Sequence, residues 1–184
     1  TVQGMIDDAV ANDGYVKDFT IEEIGGDGEG SEEGASSKMR QAEIEIKVVD
    51  ADRALELKSE GDAHFKKASF GEAIRLYTAS IEQDNSNSAA FANRAAAQIQ
   101  LKNFAAALED AVVARTLKPD YMKAYYREGM AHQELGHWEE AAQAYFEGCR
   151  IENENDELIK RFQHAMKMAK EEHKSKAEAG ASSS

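Results

Sequence analysis

The chain has 184 residues, 42% hydrophobic and 8% aromatic, room for one ordinary domain with tails, since domains run to roughly 100–150 residues. A lone cysteine, Cys149, excludes an internal disulfide framework and a four-cysteine zinc site and fits a reducing compartment, while apolar runs far below the roughly 20 residues of a membrane span predict a soluble protein with no membrane partner. The net charge of −13 is uneven, residues 1–50 holding 13 of the 35 acids but 4 of the 22 bases, and without a basic stripe to release counterions the chain is not expected to bind nucleic acid.

Residues 1–53 read as an acidic, largely flexible arm. Val2, Met5, Ile6 and Val10 recur at near-helical spacing over 1–12, and IGGDGEGSEEGASS over 24–37 has almost nothing to bury. Over 38–53, AEIEIKVV alternates like a strand, but a lone strand has nothing to pair with, so a lead-in helix is expected. A chain that opens on Thr1 rather than Met is expected to be a piece of something longer.

From residue 54 the pattern is helical, and 54–87, 88–121 and 122–155 superimpose at a period of 34 without an insertion. The eighth position of each unit is Gly61, Ala95 and Gly129; the twentieth is Ala73, Ala107 and Ala141; the twenty-seventh is Ser80, Ala114 and Gly148. The seventeenth is a large ring each time: Phe70, Phe104, Trp138. Two antiparallel helices approach closely only where side chains are small, and a ring opening the second helix fills the gap beside that contact. Leu57, Phe91 and Tyr125, with Tyr77 and Tyr145, supply an apolar seam between hairpins. Ala111 stands where a ring is expected, and Asn85 and Asn153 stand where Pro is commoner, which should loosen those turns. Pro119 should stop the second unit's last helix.

The period is that of the tetratricopeptide repeat. The expected fold is all-α: three helix-turn-helix repeats and a capping helix in a right-handed superhelix. The cap is expected over 156–172, with Asp156 as N-cap and Leu158, Ile159, Phe162, Met166 and Ala169 on its apolar face, because the last hairpin would otherwise expose a seam. A disordered tail is expected over 173–184.

Catalytic chemistry is not expected. His64, His132, His137, His164 and His173 are scattered, none is paired with Cys149 in a nucleophile arrangement, and no metal spacing is present. GGDGEG lacks both the preceding strand and the following Lys-Ser/Thr of a phosphate loop. No cofactor is implied.

In stacked hairpins the first helix of each unit lines the inner surface. The inward positions include Lys58 and Asp62, then Asn93, then Lys123 and Arg127, with 58/62 and 123/127 each at i and i+4 on one helix face. Over about 54–172, on LKSEGDAHFKKASFGEAIRLYTASI, FANRAAAQ and KAYYREGMA, the sequence resembles the carboxylate-clamp tetratricopeptide co-chaperones, such as the Hop-type organising protein, SGT-like adaptors and related immunophilins. That resemblance implies a cytoplasmic adaptor whose groove takes the C-terminal Glu-Glu-Val-Asp tails of the 70 and 90 kDa heat-shock chaperones. Lys58, Asn93, Lys123 and Arg127 match the family's clamp; Asp62 stands where the family has Asn. The chemistry agrees, since Lys, Arg and amide N–H groups are the donors for the two carboxylates of a terminal Asp.

Asp62 is expected to pair with Lys58 or Arg127 and to weaken binding. Phe65, Ile99, Tyr126 and Met130 are expected to take the tail's preceding side chains and to set selectivity between chaperones. The other reading is a groove for a different peptide or partner surface. The acidic arm could fold back over the groove as a competitor. YYREGMAHQELGHWEEAAQAYFEGCRI is also similar to the repeat unit of plant-type proteins in which ankyrin repeats precede it.

Overall fold

The structure is a computed structural model that describes residues 44–181. The helix expected over 1–12, the linker over 24–37 and the competing arm lie outside the described residues. Seven helices follow in order: α1 (Ala51–Lys66), α2 (Phe70–Gln83), α3 (Ser88–Gln100), α4 (Phe104–Leu117), α5 (Met122–Glu134), α6 (Trp138–Ile151) and α7 (Asp156–Ala181). They pair as α1/α2, α3/α4 and α5/α6, each second helix packs on the next hairpin, and α7 packs on α6. First helices also touch across hairpins, α1 on α3 and α3 on α5.

The turn inside each hairpin is the same device used three times. Ala68, Lys102 and Gly136 occupy one repeat position and all have positive φ, 56°, 61° and 77°. The next residue's N–H reaches back to a helix carbonyl: Ser69 to His64, Asn103 to Gln98 and His137 to His132, at 3.0, 2.9 and 2.9 Å. This left-handed closure satisfies the carbonyls a helix C-terminus leaves open.

The small residues sit where the helices nearly touch. A Cβ on Gly61 would lie 2.7 Å from the Tyr77 ring and one on Gly129 2.5 Å from the Tyr145 ring. In the middle repeat the ring is missing, and Ala95 faces Ala111 in a cluster completed by Ile99, Ala107 and Ala131. The eighth and twenty-fourth positions therefore vary together, Gly with Tyr and Ala with Ala, because the gap between the helices has one volume to share. Between α3 and α4, Arg94 grips Asp110 with two nitrogens, at 2.8 and 2.7 Å. Asp110 is 7% exposed, so the pair is a buried one.

Several expectations are corrected. Residues 45–50 are not a lead-in helix: the segment is extended and makes an antiparallel bridge from Val48 to Asp84. Its partners come from the turn after α2, where the Gln83 carbonyl accepts from Val49 N at 2.7 Å and the Asn85 side chain accepts from Lys47 N and donates to the Glu45 carbonyl. Asn85 thus pins this turn rather than loosening it. α1 starts at Ala51, three residues ahead of the repeat boundary, because Asp50 caps it by accepting from Arg53 N at 2.9 Å. Asn155, not Asp156, caps α7, accepting from Leu158 N at 3.1 Å. α7 runs on through the expected tail to Ala181, carried by Ala-rich sequence and by i,i+4 pairs such as Lys176–Glu172 at 2.6 Å. His173, beyond the expected end, contacts Glu139 of α6.

Candidate functional site: the inner face of the first helices

Asp62 organises one end of the site. Its Oδ2 lies 2.8 Å from Lys58 Nζ, one helical turn earlier. Its Oδ1 accepts from the Tyr77 hydroxyl and from Asn93 Nδ2, each at 2.8 Å. Three residues, one each from α1, α2 and α3, thus share the Asp62 carboxylate. Burial first, then the hydrogen bond and charge of Asp62, pushes the Tyr77 phenol well above its ordinary range, so Tyr77 stays a donor. The pairing expected with Lys58 is present, whereas the ion pair considered with Arg127 is absent.

The other end is different. Lys123 is exposed near the start of α5, and Arg127, one turn on, is half-buried. Neither has an acidic partner among the described residues. The Arg127 guanidinium lies 5.2 Å from the centre of the Tyr126 ring and donates to Met130 Sδ at 3.6 Å. Burial pushes it down from its ordinary value; Tyr126 and Tyr121 oppose that, and Arg161 adds to it.

Tyr121, just before α5, links the two ends. It packs on Phe91, Ala92, Ala114 and Ala124. Burial raises its phenol, Lys58 and Arg127 pull the other way, and Asp62 adds to the rise. Charges from the first and third repeats therefore act on a single ring.

Of the apolar residues expected to meet a ligand, Ile99 is corrected: it is 8% exposed and belongs to the core cluster of Ala95, Ala107 and Ala111. Helix α3 turns that position toward the small residues Ala107 and Ala111 of α4. Phe65 packs edge-on against Phe70, ring centres 5.3 Å apart, and stays half-buried. Tyr126 and Met130 are half-buried beside Arg127. Sequence reasoning missed three contributors: Tyr77 as a donor to Asp62, Tyr121 as the ring between the charges, and Arg161. Arg161 lies on α7 with its guanidinium 5.2 Å from the Tyr126 ring centre. The only sequence signal for it was its i+4 spacing from Glu157, a pairing the structure has at 2.8 Å.

Cys149 is fully buried and burial pushes its thiol up to about 11, far from thiolate character at neutral pH. Among the described residues no group of three His, Cys, Asp or Glu could hold a metal ion, and no described helix is long and apolar enough to cross a membrane.

No protein-family model matches the chain. A curated relative, the Protein STIP1 homolog of Dictyostelium discoideum, is 37% identical over 108 residues, covering 59% of this chain and 19% of that protein. The chain thus spans about a fifth of that relative's length. Among solved structures, the first tetratricopeptide-repeat (TPR) domain of Spaghetti (RPAP3) bound to HSP90 peptide SRMEEVD superimposes with a TM-score of 0.64 at 36% identity, over 65% of this chain and 94% of that one. The second TPR domain of human RPAP3, in complex with HSP70 peptide SGPTIEEVD, gives 0.61 at 30%, over 62% and 96%. The chain belongs to the tetratricopeptide-repeat co-chaperone family.

Proposed function

We propose that this chain is the tail-binding module of a cytoplasmic co-chaperone adaptor, without catalysis of its own, and that its groove takes the acidic C-termini of the 70 and 90 kDa heat-shock chaperones. The observation that carries this reading is the unneutralised pair on α5: Lys123 and Arg127 lie one turn apart with no acidic partner among the described residues. Cations left without an acidic partner in a strongly acidic protein call for an anion from outside. Lys58 and Asn93 stand opposite, already gathered on Asp62, and can be shared with a second carboxylate because ammonium and amide groups have donors to spare. The comparison domains support the chemistry, since both hold peptides ending in Glu-Glu-Val-Asp.

The test is calorimetric titration with those two peptides, each as the free acid and as the C-terminal amide. Binding that requires the free acid, and that Lys123→Ala and Arg127→Ala abolish, is expected. A second reading, a groove for a different peptide or partner surface, is favoured by the Lys58–Asp62 pair, which already neutralises one clamp cation. Equal binding of acid and amide would select it.

A further inference from the structure

The capping helix brings a cation to the groove that the four clamp residues do not account for. The guanidinium carbons of Arg127 and Arg161 each lie 5.2 Å from the centre of one ring, Tyr126, so they are within about 10 Å of one another. Two like charges at that range repel, and a chain with 35 acids could have separated them. Among the described residues the one acidic partner either has is Glu157, which accepts from Arg161 Nε at 2.8 Å. Glu157 is 61% exposed against 26% for Arg161, and so open a pair neutralises little. An Arg carries five donors in a rigid fork, and Glu157 takes one of them. On its other side the guanidinium acts on the hydroxyl of Tyr145, drawing that phenol down against the burial that pushes it up to about 12, while the hydroxyl donates to Gln133 Oε1 at 3.2 Å.

We propose that Arg161 is a further anion-binding residue of this groove, reading an acidic side chain two residues upstream of the terminal residue of the bound tail. This rests on the reading of the groove given above. An extended chain rises about 3.3 Å per residue and alternates its side chains, so residues two apart share a face at a spacing of roughly 7 Å. With the terminal carboxylates on Lys123 and Arg127, the third residue from the end comes to the far side of Tyr126. The cation waiting there is Arg161. The site therefore selects tails that are acidic at that third position as well as at the end, and the selectivity comes from a helix outside the repeats.

The test is a double-mutant cycle by calorimetry on the full chain. The probes are Ser-Arg-Met-Glu-Glu-Val-Asp and the same peptide with Gln third from its end, each also as the C-terminal amide. The wild type should bind the Gln peptide about threefold to tenfold more weakly. Arg161→Gln should lose the same factor on the Glu peptide and show no further loss on the Gln peptide. A general weakening of α7 would lower both peptides alike and leave the Glu-to-Gln ratio unchanged, and an unchanged ratio overturns the proposal. Binding that needs the free acid yet shows no coupling to Arg161 sinks this inference alone. Indifference to amidation, or no binding of either peptide by the wild type, overturns it together with the clamp.

Discussion

Asn93 Nδ2 donates to Asp62 Oδ1 at 2.8 Å, joining the first helices of two successive repeats through side chains 31 residues apart. The carboxylate of Asp62 thereby holds, in the free protein, an amide and an ammonium that a ligand carboxylate would otherwise occupy. It acts as an internal competitor and at the same time orients the donors.

The substitution Asp62→Asn should therefore tighten binding of a peptide ending in Glu-Glu-Val-Asp. Lys58 is released, the local negative charge goes, and an amide can still meet Tyr77 and Asn93. A gain of roughly 1–2 kcal/mol is expected, the scale of a charge-assisted hydrogen bond. Calorimetry with the wild type and the variant at one salt concentration checks it; an unchanged or weaker affinity would sink the idea.

Gly129→Ala should destabilise the fold by about 1–3 kcal/mol, since its Cβ would lie 2.5 Å from the Tyr145 ring and force that ring off its rotamer. In a Tyr145→Ala background the same change should cost much less, as the Ala95 and Ala111 pair already illustrates. Denaturant melts of the two single variants and the double variant measure the coupling, and strict additivity would count against the shared-gap account.

Lys102→Gly should stabilise by up to about 1 kcal/mol, because Lys102 holds φ at 61° where a Cβ is strained and glycine is not. Gly136→Ala, at the equivalent turn, should cost a similar amount although open space surrounds that position. Thermal melts that move in opposite directions are the expected result.

His132 supplies a pH dependence. Burial lowers its folded value below the ordinary one, outweighing the opposing charge of Glu140 and reinforced by that of His137. The unfolded chain then binds more protons than the folded one between those two values, so stability falls as pH drops through about 6.5 and levels off below the folded value. His132→Gln should flatten that part of the melting curve against pH. An unchanged slope would show that other groups carry it.

How much was legible in the sequence follows from the range of the interactions. The Gly61–Tyr77 and Gly129–Tyr145 notches, the rings at Phe70, Phe104 and Trp138, and the three hairpins recur at one period, and the notch contacts lie within a single repeat. Lys58 and Asp62 could be paired from their i+4 spacing for the same reason. Ile99 was misjudged because periodicity marks a helix face as apolar without saying which neighbour covers it. The lead-in over 45–50 was misjudged because its partner, the turn at Gln83–Asn85, lies 38 residues further on.

The linear chain determined what repeats: helices, their turns and the small-against-large complement that lets them touch, all set by neighbours within one 34-residue unit. Only the stacked structure decided where the charges go, with Asp62 drawing in Asn93 from the next repeat, Tyr121 standing among charges of the first and third, and Arg161 crossing from the capping helix to the ring that Arg127 shares. Those distances depend on how hairpins lean on one another, a property of packing that no spacing along the chain encodes.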